Sequence, residues 1–314
     1  MKVIPPLDVT DAMLTSIDIP ENDYPEWADA TAYVRGDYVI STTTHTVYHC
    51  LVDHTSDPSK NPDTETAALA DPLIDDPDPV HWQVIGATNR WKLFDKKPSV
   101  QATQNGGFEV TLTPGVIISG LGCFNVTGAS EVTVTMTNDG TEVYSATVQM
   151  TDETVVIDGW TYYFADIQVL PEFVLTDLPP YSEATLTVTF TGAGEVGCGQ
   201  IAFGPVWQFG YVEVGQTGFE GLDFSAVGVD DFGNITTIER AETDIHTYSV
   251  VLRDKQLLGF RSRMRELRGG RRAVWIGSDD RRLASINYGF RRRYSPIYSE
   301  GGEAIISIEV QGVT

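Results

Sequence analysis

Apolar and polar residues alternate with a period near two along most of this chain, and a helical period shows in one stretch near its C-terminal end. The clearest alternation lies between Pro98 and Pro205. It predicts strands over Gly107–Thr113, Gly115–Ser119, Glu131–Asn138, Glu142–Met150, Trp160–Val169 and Ala184–Thr191. Between the third and fourth of these, Asn138-Asp139-Gly140 supplies the Asp-Gly pair of a tight primed hairpin turn. Short strands at this spacing, with almost no helical periodicity, predict a β-sandwich of jelly-roll type over residues 89–205.

The flanking regions carry different patterns. Residues 1–23 are acidic and flanked by prolines, and read as an extended arm rather than a packed element. Residues 24–88 are rich in Tyr, Trp, Thr and Val; Arg35-Gly36-Asp37 turns into a strand over Tyr38–Ser41, and Thr46–Val52 alternates as a second. Residues 57–80 within this module are dense in proline and acid without periodicity, which predicts a long exposed loop. Residues 206–314 read as an α+β domain. Thr236–Glu239, Thr247–Leu252, Ala273–Ile276, Leu283–Tyr294 and Ala304–Val310 are its expected strands, with Gly277–Asp280 turning between the third and fourth. Its one main helix is capped by Asp254, carries Leu257, Phe260, Met264 and Leu267 on one face, and ends at Gly269-Gly270. The fold class expected is mainly β and multidomain.

Composition adds direction to this picture. The 314 residues carry a formal charge of −23, which opposes binding of the whole molecule to nucleic acid or anionic lipid. The charge is segregated. Residues 252–293 hold 13 cations against four acids, residues 1–251 hold eight against 37, and residues 294–314 add three glutamates, giving +9, −29 and −3. Charge divided in this way reflects what each end touches as much as how it folds. Three cysteines, Cys50, Cys123 and Cys198, are too few and too far apart for a disulfide scaffold, so free thiols in a reducing compartment are expected. Met1–Asp11 has no apolar run suited to a signal peptide, and no stretch reaches the ~20 apolar residues of a membrane helix.

Candidate chemistry is sparse. His45, His49 and His54 with Cys50 and Asp53 invite a zinc reading, but they lack paired ligand spacing, and adjacent His49 and Cys50 point to opposite faces of a strand. Asp75, Asp76 and Asp78 lack the glycine and terminal glutamate of a calcium loop. Gly192, Gly194, Gly197 and Gly199 lie after a strand rather than opening a helix, so a turn between two strands accounts for them better than phosphate binding. No nucleophile elbow, Walker loop or dinucleotide fingerprint occurs, and a carboxylate pair such as Asp152 with Asp158 or Glu172 does not stand out among 44 acids. No catalytic residue, metal or cofactor is nominated.

Two resemblances sharpen this. Tyr24-Pro25-Glu26-Trp27, Ala32-Tyr33-Val34-Arg35-Gly36-Asp37-Tyr38-Val39, Val47-Tyr48-His49-Cys50-Leu51, His54-Thr55-Ser56 and His81-Trp82-Gln83-Val84 follow one another in the order of the small chitin-binding-type carbohydrate module of bacterial chitinases, which the segment resembles. The resemblance implies sugar stacking on aromatics, with Trp27, Tyr33, Tyr48 and Trp82 as the positions concerned. It departs from the family between His54-Thr55-Ser56 and the last tryptophan, where an exposed tryptophan is usual and residues 57–80 hold no aromatic.

The second resemblance covers nearly the whole chain. That module, then Thr88-Asn89-Arg90-Trp91-Lys92-Leu93-Phe94-Asp95, a galactose-binding-like sandwich, and a region carrying Asp231-Phe232-Gly233-Asn234, Val274-Trp275-Ile276-Gly277-Ser278 and Ser307-Ile308-Glu309-Val310-Gln311-Gly312 look like tail proteins of tailed double-stranded DNA phages and prophages. This implies a non-enzymatic virion protein of the tail tip or baseplate, assembled in the bacterial host cytoplasm. Its C-terminal domain would dock on other tail proteins and on copies of itself in a symmetric ring, and its β modules would contact host surface glycans. Arg261, Arg263, Arg265, Arg268, Arg271 and Arg272 are the expected interface cations, because guanidinium groups pair bidentately with a partner's carboxylates. The alternatives are a stand-alone carbohydrate-binding adhesion protein and a glycan depolymerase built on the sandwich.

Overall fold

The computed structural model describes residues 1–65, 80–152, 158–160, 168–229, 232–277, 285–298 and 302–313. The chain is mainly β, built from several antiparallel sheets with little helix. Asp75, Asp76, Asp78, most of Trp160–Val169 and most of the Gly277–Asp280 turn lie outside the described residues. No described helix is long and apolar enough to cross a membrane.

The first region is a three-stranded sheet of Tyr38–Ser41, Thr46–Cys50 and Trp82–Ala87, with Ala32–Tyr33 paired to His54–Thr55 beside it. Period-two alternation sends Val39, Tyr48 and Cys50 inward, where Tyr33 and Trp82 complete a small core. The expectation of an exposed loop over 57–80 needs correction at its start. Residues 57–65 form a short 3₁₀ turn and a single helical turn, held because the buried Trp82 indole donates to the Lys60 carbonyl (2.9 Å) and the Tyr48 hydroxyl donates to Asp63 (2.8 Å). Glu65 pairs with His81 at 2.6 Å.

The second region folds a seven-stranded sheet over one core. Glu131–Asn138 pairs with Thr141–Gln149 through a turn in which Asp139 and Gly140 both have positive φ (51° and 75°), the conformation the Asp-Gly pair predicts. The organising strand is Thr185–Gly204. Its first part pairs with Glu131–Asn138 and the end of Ala102–Leu112; its second part pairs with Gly120–Thr127 and the start of Ala102–Leu112. The glycines expected in a turn between strands are therefore inside one strand, Gly192 and Gly194 at the register shift between Thr191 and Glu195, Gly197 and Gly199 beyond it. Gly192 is required there, since a Cβ would lie 2.4 Å from the Gly128 carbonyl oxygen. Gly115–Ser119 is not a strand: the strand starts at Gly120, where both faces are buried and no alternation marks it.

The third region is a second large sheet in the order Trp207–Gln208, Lys2–Ile4, Arg272–Ile276, Ile286–Tyr298, Glu303–Gly312, Glu242–Arg253 and Tyr211–Val212, with Gly218–Asp223 also paired to Glu242–Arg253. The helix Asp254–Glu266 packs on it through Phe260 and Met264, and Phe260 meets Phe209 and Tyr294 edge-on at 5.1 and 5.8 Å. Asp254 is the first helical residue rather than the cap. Arg253 takes the cap position, and its backbone N–H donates to the Gln256 side chain (3.3 Å).

Residues 1–23 are not a free arm, which corrects the reading from composition. Val3 and Ile4 are fully buried in the third region's sheet, Leu14–Ile17 extends the edge of the sandwich along Ala102–Leu112, and Ile19 is fully buried. Alternation over three or four residues is too short to be seen, and the acids between these pieces make specific contacts. Asp11 and Glu21 grip His45 at 2.8 and 2.9 Å, and Asp23 accepts from the Asn89 backbone at 2.6 Å. The segment sews the three regions together. A separate apolar cluster of Ile4, Phe124, Ala202, Val274, Ile276 and Tyr288 then fuses the sandwich to the C-terminal sheet.

Candidate functional site

The aromatics singled out for sugar stacking are largely structural. Tyr33, Tyr48 and Trp82 are 9%, 3% and 1% exposed, and Tyr33 meets Trp82 edge-on at 5.1 Å. Trp27 is half-buried against them, with its indole nitrogen buried. None of these faces is open to a pyranose, so the stacking role fails at Tyr33, Tyr48 and Trp82 for the plain reason that a 65-residue module needs its largest rings as core. The exposed rings are on the opposite face. Tyr24 stacks on Tyr38 (5.0 Å, 21°), and Tyr38 lies against His49 (4.8 Å), forming one outward strip. The alternation that put Val39 and Tyr48 inside also put Tyr38 and His49 outside, and that signal was present in the sequence.

The histidines are occupied separately. His45 is held by Asp11 and Glu21 and stacks on Trp91 at 4.1 Å, while His54 touches the Cys50 thiol (3.7 Å) and the His81 ring (4.5 Å). Among the described residues, no three His, Cys, Asp or Glu side chains gather as a metal site. All three cysteines are buried free thiols, and burial raises the Cys50 and Cys123 thiols above their usual range.

The six arginines divide into three groups. Arg265, Arg268 and Arg271 line one open groove of about 570 Å³ with Ser262, Glu266 and Gly269, at the end of the helix and in the turn after it. Arg263 is engaged within the chain: its guanidinium lies 4.7 Å from the Trp207 ring centre and pairs with Glu266 at 3.2 Å. Arg261 is exposed on the helix, and Arg272 is half-buried in a sheet strand opposite Phe290, with a buried Nε. The structure thus joins three of the six into one surface.

Sequence reasoning missed the most conspicuous surface. Ala226–Val229 and Ile235–Ile238 pair only with each other, as a two-stranded ribbon standing off the large sheet. Val227 and Ile235 are 66% and 71% exposed, and Phe232 in the connecting turn is 91% exposed. Phe219 and Phe224, on and just after the strand that leads into the ribbon, are also exposed. The composition of these strands was visible, but alternation alone does not reveal whether anything lies across from them. An isolated two-stranded ribbon is marginal in water, and contiguous exposed apolar side chains mark a surface meant to be covered.

No family model, curated protein or solved structure matches the chain.

Proposed function

We propose that the chain is a non-enzymatic structural subunit of a phage tail tip or baseplate. It packs against further copies of itself in a symmetric ring and against neighbouring tail proteins, and is assembled into the virion in the bacterial host cytoplasm. The observation that carries this reading is the apolar ribbon 226–238, which costs solubility as a free surface and is covered when another subunit receives it. The groove of Arg265, Arg268 and Arg271 supports it, since a strongly acidic chain offers carboxylates for those cations on an adjoining copy. A ribbon of one subunit received at a different surface of the next is a heterologous contact, which gives a ring when the rotation between subunits closes and an open filament when it does not. Sedimentation velocity and negative-stain micrographs of the full chain test this. Rings or defined oligomers are expected, reduced to monomers by Val227→Asp with Ile235→Asp. A chain that stays monomeric at every concentration, or phage tails that assemble complete without it, would refute the proposal.

A second reading, a carbohydrate-binding adhesion protein, is favoured by the Tyr24–Tyr38–His49 strip, whose stacked rings offer the flat outward face that Tyr33, Tyr48 and Trp82 do not. Retention on chitin that is lost in Tyr38→Ala, with the fold intact, supports it.

A further inference from the structure

The seam between the sandwich and the C-terminal sheet is not closed along its whole length. Above the Ile4–Phe124–Tyr288 cluster it opens into a cleft of about 380 Å³, within the ~300–1,000 Å³ usual for small-molecule sites. Its walls come from stretches far apart in the chain, around residues 98–99, 124–125 and 171–172 on one side and 243–246, 286–288 and 312–313 on the other. No motif could have announced it.

Its chemistry is specific. Glu172 reaches in from the sandwich and makes no hydrogen bond or ion pair among the described residues, although it is partly buried. Asp244 and His246 face it from the strand Glu242–Arg253. Asn287 is 6% exposed and lines the same cleft with its Nδ2 buried and without a partner, an arrangement that leaves a desolvated donor unless something answers it. The rings of Phe124 and Tyr288, 3% and 4% exposed and stacked on each other at 5.1 Å, close its floor and present only their edges to it.

We propose that this cleft binds a neutral pyranose unit of a glycan, with Glu172, Asp244 and Asn287 as its hydrogen-bonding groups above the edges of Phe124 and Tyr288. Among the described residues no lysine or arginine lines the cleft, so it does not suit a phosphate or a uronate, whose charge would meet carboxyl groups with no cation to offset it. An ammonium ligand fits less well than a sugar, because the Asn287 N–H groups need acceptors and an ammonium has none. Vicinal hydroxyls both donate and accept. Burial, helped by Asp244, pushes the Glu172 carboxyl up to about 7, so near neutrality it is present in both forms and can give a hydrogen bond as well as take one. Burial also lowers His246 below the usual imidazole range, opposed in part by Asp244. The titratable groups around Glu172 are Asp244, His246, Tyr248 and Tyr288, all on the C-terminal sheet; the sandwich side adds none among the described residues.

This inference does not depend on the tail reading and moves glycan contact away from the first module. The test is saturation-transfer NMR and calorimetric titration of the full chain with methyl glucoside, methyl galactoside and N-acetylglucosamine, and with glucuronate as the anionic control. At least one neutral sugar is expected to bind saturably and glucuronate not to. Asn287→Asp should weaken that binding tenfold or more. Because Glu172 has no partner to lose, Glu172→Leu should remain folded by near-ultraviolet circular dichroism and should also abolish binding. Glu172→Gln, which keeps a neutral donor and acceptor, should bind and should lose the decline that the native chain shows from about pH 6 to about pH 8 as Glu172 ionises beside Asp244. Tyr24→Ala and Tyr38→Ala should leave binding unchanged. The proposal is overturned if none of the neutral sugars binds, if glucuronate binds as well as they do, or if binding survives Glu172→Leu in the folded protein.

Discussion

The first module and the ribbon of the C-terminal region invert each other. The module carries the recognisable motif, and its Tyr33, Tyr48 and Trp82 turn inward to make a core that 65 residues could not otherwise afford. The ribbon's strands carry no motif, and Val227, Ile235 and Ile238 stand in solvent because no second layer lies over them among the described residues. Side-chain type is alike in the two places; what differs is whether the chain itself provides the other half of the contact. Aromatic or aliphatic residues at strand spacing therefore report a site only after their covering layer has been identified.

The largest test of that contrast is Trp82→Ala against Tyr38→Ala. Removing the buried ring and its bond to Lys60 should cost about 3–5 kcal/mol, while removing the outward ring should cost under about 1 kcal/mol. Hydrogen exchange along Thr46–Cys50 reads the module's own stability, and equal losses from the two variants would erase the distinction.

The contrast extends to inward polar groups. In the module, Tyr48 has Asp63 and His81 has Glu65, whereas Glu172 at the seam turns inward without a partner. A carboxyl raised from 4.5 to about 7 in the folded state binds a proton that the unfolded chain releases, so folding stability falls as pH rises from about 4.5 to about 7 and is level above that. Glu172→Gln should therefore match the native chain near pH 4.5 and exceed it by about 1–3 kcal/mol above pH 7, measured as paired thermal melts. A constant offset at all pH values would point to packing instead.

The smallest effect separates the arginines. Arg263→Ala should cost about 0.5–1 kcal/mol through its lost position over Trp207, and Arg268→Ala should leave the subunit's stability within about 0.5 kcal/mol. Stability losses of the same size would make Arg268 part of the fold rather than of the groove.

How far the sequence could be read follows the same logic of local against remote determination. Glu131–Asn138 and its Asp139-Gly140 turn were legible because alternation and turn chemistry act within 20 residues. Phe260 and Met264 could be placed on the buried side of the helix from their spacing. The strand Lys2–Ile4 could not be seen, because three residues carry no period and their partners are Trp207–Gln208 and Arg272–Ile276. Thr185–Gly204 was broken at its glycines because a glycine that ends a strand and one that permits a close backbone crossing look alike in a sequence. The cleft was illegible for a stronger reason: Glu172 and Asn287 meet only after two regions have docked.

The insertion of Lys2–Ile4 into the C-terminal sheet also sets an order of events during translation. Its partner strand Arg272–Ile276 leaves the ribosome some 268 residues later, roughly 15–50 s at the usual 5–20 residues per second. Until then Lys2 and Val3 have only the two-residue strand Trp207–Gln208 to pair with, while Leu14–Ile17 can already settle on the sandwich as soon as Ala102–Leu112 is made. The nascent chain should therefore complete its sandwich before Val3 and Ile4 are sealed against Arg272–Ile276, and a stall before Ile276 would leave those two apolar side chains for chaperones to hold.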